Sequence, residues 1–215
     1  MKPNFALKLS FDSVVLLHRV QHGWLAIGEA RLDAPELDET LGQLRDTARQ
    51  LEPHGLITKL ILPEDEVLYR VIEAPGPGFE QRRAQIAAEL EGYTPYRLDE
   101  LIFDWSGQGR RVQVAVVARE MFDQAEEFAH KHGFNPVSVV TQPEPGSFEG
   151  EPFFGMTRVG HDILPRGIKV TPDTEPVRIT GRAGDSAEEA GAQVASRLAT
   201  AAAATGGAAP GRAAT

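Results

Sequence analysis

Residues 66–118 constrain the fold of this chain most, because they read as strand, helix, strand and strand in that order. The first strand is predicted over residues 67–72, which are β-branched, aromatic or aliphatic apart from Arg70. The Pro-Gly-Pro-Gly run at residues 75–78 ends this strand, because proline has no N–H for a strand ladder and glycine allows unusual dihedral angles. The pattern is typical of a small α/β unit.

The rest of this stretch predicts a helix packed on a hairpin. One apolar stripe repeats every three or four residues over residues 79–92, and the proline after Thr94 ends the helix. Residues 101–106 and 112–117 are apolar runs joined by a glycine-containing loop, which predicts that they pair as a hairpin. Burial stabilises each large side chain by about 1.5–3 kcal/mol. The helix and the hairpin are therefore expected to form a small core of their own.

Composition narrows the classes of function. The 215 residues suffice for one domain of ordinary size with a tail, or for two small domains. The absence of cysteine excludes disulfides and thiolate metal sites and is compatible with a reducing compartment, so we expect a cytoplasmic protein. With a net charge of -9 and no basic stripe, the chain is expected to bind no nucleic acid. No apolar run approaches the roughly 20 residues of a membrane helix, so we expect no direct membrane insertion.

The sequence on either side of residues 66–118 predicts a larger mixed sheet. Three short strands separated by tight turns indicate an antiparallel meander near the N-terminus. Residues 56–62 are apolar on both faces apart from Thr58 and Lys59, which is typical of a strand covered on both sides. The predicted strands are residues 5–10, 13–20, 23–30, 56–62 and 137–140, and the predicted helices are residues 37–51, with Asp33 as the N-cap, and 119–132.

Composition changes at about Thr141, and the remaining residues are predicted to be disordered. Prolines and glycines come first, and alanine, glycine and threonine dominate further on, so little apolar surface is available to offset chain entropy. Three aromatic residues stand out in this segment: Phe148, Phe153 and Phe154. Either these side chains fold back over an exposed patch of the domain, or they form a short docking motif that anchors another protein.

This order of elements resembles the first half of actin-like assembly proteins. The similar families are the pilus component PilM, the cytoplasmic part of the type II secretion component GspL, and their relative FtsA in cell division. The resemblance is good from residue 32 to residue 140 and weak before that. Three segments are the most specific parts of the resemblance. An apolar strand, a polar turn and a second strand are predicted from LILPEDEVLYR at residues 60–70. An acidic helix end is predicted from ELEGYTP at 89–95, and an acidic turn entering an apolar strand from LDELIFDW at 98–105.

The resemblance implies a partial actin-like, or ribonuclease H-like, α/β fold. Residues 1–65 and 119–140 would form a half domain built on a five-stranded mixed sheet. Residues 66–118 would be an inserted strand-helix-strand-strand module. Residues 141–215 would be a disordered tail rich in proline, glycine and alanine.

The resemblance also implies a non-enzymatic scaffold or adaptor that binds partner proteins through the inserted module. The partners implied are inner-membrane assembly components of pilus or type II secretion systems. The protein would be associated with the membrane through those partners or through a further C-terminal segment. An exposed strand edge of the module could accept a partner strand. The residues that the resemblance and this edge single out, besides the three phenylalanines above, are Leu68, Arg70, Tyr93, Pro95 and Tyr96.

The competing interpretation is a degenerate actin-like ATPase that needs a second lobe or a second chain. An actin-like nucleotide site uses a glycine-containing hairpin whose backbone N–H groups approach phosphate. Residues 9–14 hold that place here and contain no glycine, although Asp12 could stand for a metal-associated acid. The chain also becomes low in complexity where a second half would begin. We therefore expect no catalytic residue, cofactor site or metal site.

Other polar residues are interpreted as solvated surface groups. Metal binding needs three or four convergent ligands, whereas His18 and His22 flank one predicted turn and His130 and His132 lie at a helix end. Asp104 and Glu100 lie in a turn that leads into a strand, with no histidine or lysine near them in sequence. The sequence therefore predicts a solvated edge there instead of an acid–base pair.

Overall fold

The computed structural model describes residues 1–53 and 55–183, which form a mixed α/β fold with two sheets. The strands are β1 (Phe5–Leu9), β2 (Ser13–Val20), β3 (Gly23–Arg31), β4 (Thr58–Leu62), β5 (Val67–Glu73), β6 (Leu101–Ser106), β7 (Arg111–Ala118), β8 (Pro136–Thr141), β9 (Phe153–Met156) and β10 (Ile179–Arg182). The helices are α1 (Leu37–Leu51), α2 (Phe79–Leu90), α3 (Arg119–Lys131) and α4 (Arg158–Ile163).

The large sheet has seven strands in the order β10-β3-β2-β1-β4-β8-β9. β1, β2 and β3 form the predicted antiparallel meander, and β1, β4 and β8 run parallel to one another. The expectation of five strands was too low. The two additional strands, β9 and β10, extend the two edges of the sheet and come from the part of the chain predicted to be disordered.

One face of the large sheet packs against α1 and α3. Because side chains alternate along a strand, Phe5, Leu7 and Leu60 point to this face, where α1 contributes Leu44 and α3 contributes Phe122. β4 lies between β1 and β8 and all five of its residues are buried. The prediction that this strand is covered on both sides is therefore confirmed.

Parts of residues 143–178, which we call the strap, cover the other face of the large sheet. The strap contains β9 and α4 and returns to the sheet at β10. Val177 of the strap is buried against Ala6, Ile61 and Trp24, and Phe153 packs against the same cluster. The strap thus supplies the second apolar layer that a mixed sheet needs on its open face.

The strap corrects the prediction of disorder for residues 141–183. Phe148, Phe154 and Val177 are all buried, which provides the apolar burial that the composition did not suggest. These residues are too widely and irregularly spaced to give a strand or helix period, so the sequence showed no element there. The rest of the predicted tail, residues 184–215, lies outside the described residues.

A buried ionic cluster fixes the strap to the middle of the sheet. Lys59 of β4 is only 2% exposed, and its ammonium group donates to Glu151 and, at 2.7 Å, to Asp173. Arg19 donates to both carboxylate oxygens of Asp173 at 3.0 and 2.8 Å, and Lys2 lies 3.0 Å from the same group. Both carboxylates belong to the strap and the three cations belong to the sheet or the N-terminal segment before it. Burial of Lys59 is therefore compatible with folding only while the strap is in place.

This cluster predicts a specific loss of stability in acid. Burial pushes the pKa of Asp173 upward, but hydrogen bonds from Arg19 and Lys59 outweigh burial and hold the pKa well below its ordinary value of 3.8. A lowered folded-state pKa stabilises the protein above pH 3.8, and this contribution is lost as pH falls below that value. We expect Asp173→Asn to remove that part of the pH dependence in denaturation curves measured between pH 5 and pH 2.

The same experiment has an internal contrast in Glu151. Burial raises the pKa of this carboxyl above its ordinary value of 4.5, although Lys59 opposes the shift. A raised folded-state pKa contributes stability below pH 4.5 and loses it as pH rises through the folded-state pKa. In denaturation curves extended above pH 4.5, Glu151→Gln should therefore change the slope with the opposite sign. Equal slopes for wild type and Asp173→Asn would contradict the assigned role of Asp173.

The second sheet has the order β5-β7-β6 and packs its inner face against α2. Its core consists of residues from β5, β7 and α2, with Phe103 and Trp105 of β6 packed against them: Ile72, Val112, Val114, Val116, Ile86 and Leu90. This small sheet arises between β4 and α3 of the chain, at residues 67–118, and has a core separate from that of the large sheet.

The start of α1 differs from the prediction, whereas the end of α3 is closed by a glycine. Asp33 does not cap α1, because Arg31 holds its carboxylate through two 3.0 Å hydrogen bonds and the helix begins only at Leu37. At the end of α3, Gly133 has a φ of 75°, which favours glycine, and the N–H of Phe134 donates to Ala129 at 3.0 Å. This pattern closes the helix and turns the chain into β8.

Candidate functional site

The inserted module presents a free strand edge. β5 pairs with β7 on one side, and the strand order places no described strand on its other side. The N–H of Ala74 donates to Arg110 of the β7 side at 2.8 Å, so Ile72 and Arg70, two and four residues earlier, also direct their backbone groups toward β7. The alternate residues 69, 71 and 73 therefore direct N–H and C=O groups away from the sheet.

The side chains along this edge form a shallow groove between β5 and the end of α2. Val71 is 55% exposed, which is unusual for a β-branched residue in the middle of a strand. The guanidinium group of Arg70 lies 5.4 Å from the centre of the Tyr93 ring, and no carboxylate within the described residues pairs with it in a salt bridge. The groove has a volume of about 320 Å³ and is lined by Arg70, Val71, Ile72, Glu73, Glu89, Leu90 and Tyr93.

The end of α2 positions Tyr93 at this groove. The helix ends at Leu90, and Gly92 follows with a φ of 89°, a conformation that a side chain would strain. The N–H of Tyr93 then donates to Leu90 at 3.1 Å, so the ring leaves the helix axis while Leu90 stays buried. Tyr93 remains 59% exposed and offers an apolar face with a polar tip to a ligand.

The structure brings some of the predicted partner-binding residues together and separates others. Arg70 and Tyr93 line the same groove, whereas the side chain of Leu68 packs into the core under α2. Pro95 is exposed on the loop that follows, and Tyr96 is 45% exposed and lines a different groove. Val71 was not named individually, although the sequence predicted the strand edge to which it belongs.

The groove next to Tyr96 lies where the module meets α3. It has a volume of about 370 Å³ and is lined mainly by acidic side chains: Asp99, Glu100, Glu120, Asp123 and Glu127, together with Arg119. The carboxylate of Asp99 is paired with Arg97 at 3.0 Å, and that of Glu100 accepts from the N–H of Arg97 at 2.7 Å. These acidic groups thus already support the local turn that leads into β6.

The three phenylalanines of the strap are part of the domain. Phe148 and Phe154 are 8% and 6% exposed and lie in the same core as the α1 and α3 side chains. Phe153 points to the other face of the sheet and packs against two smaller clusters. Of the two sequence-level alternatives, the structure supports folding back over the domain, because a buried side chain is not available as an anchor for another protein.

Asp104, His18 and His132 are not the solvated groups that the sequence predicted, whereas His22 and His130 are exposed as predicted. The carboxylate of Asp104 accepts from the N–H of Phe153 at 2.8 Å, and burial raises its pKa although this bond and the N–H of Trp105 oppose the shift. His18 stacks on Phe5 with ring centres 4.8 Å apart, and burial lowers the pKa of His132. No group of three or more potential metal ligands occurs among the described residues.

A third pocket lies at the carboxyl ends of the parallel strands β1, β4 and β8. Open α/β sheets commonly bind ligands at such strand ends. The pocket has a volume of about 430 Å³, and Glu64 and Asp65 contribute carboxylates to its lining. Lys8 donates to Gln142 at 3.2 Å, and the Ser10 hydroxyl is engaged within its own turn. The carboxylates would repel a polyphosphate unless a cation lay between them.

The described helices include none that is long and apolar enough to cross a bilayer. No protein-family model and no curated protein sequence matches the chain.

Solved structures share the fold, and two of them illustrate it. One is the cytoplasmic domain of EpsL, an inner-membrane component of the type II secretion system of Vibrio cholerae, with a TM-score of 0.50, 12% identity, and coverage of 83% of this chain and 86% of that one. The other is a PilM–PilN type IV pilus biogenesis complex, with a TM-score of 0.50 and 17% identity over 66% of this chain and 48% of that one. The chain thus spans about half of the second structure's length. The chain shares the fold of these two structures, as the resemblance to PilM and GspL predicted.

Proposed function

We propose that this protein is a non-enzymatic scaffold or adaptor that binds an extended segment of a partner protein along the free edge of β5. The observation that carries the proposal is an unpaired strand edge beside an exposed apolar residue, Val71. Natural proteins normally protect such edges with charge, proline or covering elements. An edge left open in this way is suited to accept a strand from another chain.

The geometry indicates how an added strand would be held. The outward backbone groups of Tyr69, Val71 and Glu73 would pair with the partner's backbone and supply affinity. The partner's side chains would alternate between the two faces of the extended sheet. On the α2 side they would meet Arg70 and Tyr93, which form one wall of the groove.

The fold neighbours support the choice of partner class. One neighbour is an inner-membrane component of a secretion system, and the other is PilM in a complex with PilN. We infer that the partner here is likewise a component of an envelope assembly and that this chain works on the cytoplasmic side. The net charge of -9 supports a protein partner in place of a nucleic acid.

The proposal is tested by selecting 12-residue segments from a random display library on the purified protein. Arg70→Ala and Tyr93→Ala are each expected to weaken binding of selected segments about tenfold, equivalent to ~1.4 kcal/mol, because each change removes part of the wall that these two side chains form. Calorimetric titration measures the affinities. Tyr96→Ala removes an aromatic side chain of similar exposure in the other groove and should leave the affinity unchanged.

Loss of binding in Tyr96→Ala, with normal binding in Arg70→Ala and Tyr93→Ala, would move the site to the acidic groove. Selection of no segment above background would contradict the proposal itself.

The second candidate function is the degenerate ATPase, which the pocket at the ends of β1, β4 and β8 favours by its position. The acidic lining at Glu64 and Asp65 argues against it. Titration with ATP and magnesium during thermal unfolding tests this function, because a ligand at a hundred times its dissociation constant adds about 2.7 kcal/mol. We expect no shift in melting temperature. A saturable shift that Ser10→Ala weakens would favour the ATPase instead.

A further inference from the structure

We propose that the strap couples the C-terminal side of the described chain to the inserted module. Release of the strap from the large sheet then makes the inserted module less rigid. The use of this coupling to regulate partner binding rests on the proposed function, whereas the coupling itself can be measured without a partner. The inference follows from contacts that the strap makes at its two ends.

The first part of the strap is bonded to the module. Phe148 lies in the main core close to where β5 and β7 enter the module, together with Val67 and Val117. Three hydrogen bonds join this part of the strap to β6 and β7: Phe153 N–H to Asp104 Oδ2 at 2.8 Å, Glu149 N–H to Ser106 Oγ at 2.9 Å, and Gln113 Nε2 to the Gly146 carbonyl at 2.7 Å. The partly buried Asp104 carboxylate accepts its bond from the strap in place of water.

The second part of the strap is bonded to the large sheet. Asp173 is held there by Lys59, Arg19 and Lys2, and we call these contacts the latch. Beyond Asp173 the chain passes the buried Val177 and enters β10, which pairs with β3 at the edge of the sheet. The strap is therefore followed directly by β10, a short edge strand on the C-terminal side of the described chain.

Glu151 connects the two parts. One of its carboxylate oxygens accepts from Lys59, and the other accepts from the N–H of Asp173 at 3.1 Å. Glu151 is two residues from Phe153, whose N–H is bonded to Asp104 of β6. β6 pairs with β7, and β7 pairs with the partner-binding strand β5.

A contiguous series of bonds thus runs from the latch to the proposed binding edge. The element with two arrangements is the strap, docked on the sheet or released from it. If β10 and Asp173 detach, Glu151 loses its second contact and Lys59 is left with one carboxylate. The bond at Asp104 is then the next contact to weaken, and the module becomes less rigid.

Amide hydrogen exchange followed by mass spectrometry tests this coupling in the full chain. Asp173→Asn removes the negative charge from the latch while keeping the shape of the side chain. We expect about tenfold faster exchange in peptides covering Glu149 to Met156 and, with them, in peptides covering β6 and β7, because the opening free energy of both falls together. Peptides from α1 are expected to be unchanged.

A second variant keeps the contacts of Asp173 with Arg19 and Lys2 and removes the connection through Glu151. Lys59→Met combined with Glu151→Leu replaces the buried pair with apolar groups, a change that is often neutral or stabilising. Asp173 keeps Arg19 and Lys2, but the connection to Phe153 through Glu151 is lost. We expect this variant to exchange at the wild-type rate in β10 and faster in β6.

Arg158→Ala is the matched control. Arg158 belongs to the strap and lies 3.6 Å from Glu126 and 3.8 Å from Asp123 of α3, away from the latch. It should leave exchange in β6 and β7 unchanged. Faster exchange of the strap alone in Asp173→Asn would overturn the coupling, as would uniformly faster exchange of all peptides in both latch variants. Neither result bears on whether β5 binds a partner.

Discussion

Phe154→Ala is expected to lower the free energy of unfolding by about 3–5 kcal/mol, the usual cost of removing a buried aromatic side chain. Phe154 is 6% exposed and packs in the core shared with α1 and α3, although the composition around it is typical of disorder. A loss of this size is a large part of the ~5–15 kcal/mol by which most domains are stable. Chemical denaturation followed by far-ultraviolet circular dichroism measures it.

The control for this prediction is an aromatic residue that the structure leaves exposed. Tyr96 is 45% exposed, so Tyr96→Ala should change the free energy of unfolding by about 0.5 kcal/mol or less. If both variants proved equally mild, the strap would not be folded onto the sheet and the docking interpretation of Phe148, Phe153 and Phe154 would return.

Val71→Pro is expected to weaken segments selected on the wild-type protein about a hundredfold, equivalent to ~2.7 kcal/mol. Proline removes an N–H that points away from β7 and places its ring where an added strand would lie. Because that N–H makes no bond within the sheet, and the residue before it is already extended, the folded protein should lose little stability. Affinity and melting temperature are measured on the same preparation.

Ile72→Pro is the matched variant one residue along the strand. The N–H of Ile72 points toward β7 and its side chain is buried under α2, so proline there removes a bond of the ladder and part of the core. Ile72→Pro should therefore unfold the module. A stable Val71→Pro variant that binds normally would exclude strand addition at this edge, whatever other surface the segments use.

The sequence predicts the regular elements well where one face of each element is buried. The meander and the helix–hairpin unit carry a clear period of apolar residues, and β4 is recognisable as a short run that is apolar on both faces. The resemblance to actin-like proteins adds their order. The strap carries no such period. Phe148, Phe154 and Val177 pack at single points of a chain rich in proline and glycine, and the Lys59 cluster joins residues more than a hundred positions apart.

The candidate site shows the same limit on a smaller scale. Arg70 and Tyr93 were predicted by resemblance, and they do line one groove. Val71 was not named individually, because the residues of a predicted strand edge that direct their backbone groups outward are known only once the pairing register is known. Asp104 was misjudged for a related reason, since the N–H group that it binds is supplied by Phe153, 49 residues away.

The most direct test of the account is residue-resolved amide exchange in the ¹⁵N-labelled protein, with and without a selected segment. Strand addition at β5 predicts that the amides of Tyr69, Val71 and Glu73 exchange quickly in the free protein and slowly in the complex, while those of Arg70 and Ile72 are slow in both. Protection that appears elsewhere, with these three amides still exchanging quickly in the saturated complex, would contradict the proposal that the open edge of the inserted module is the binding site.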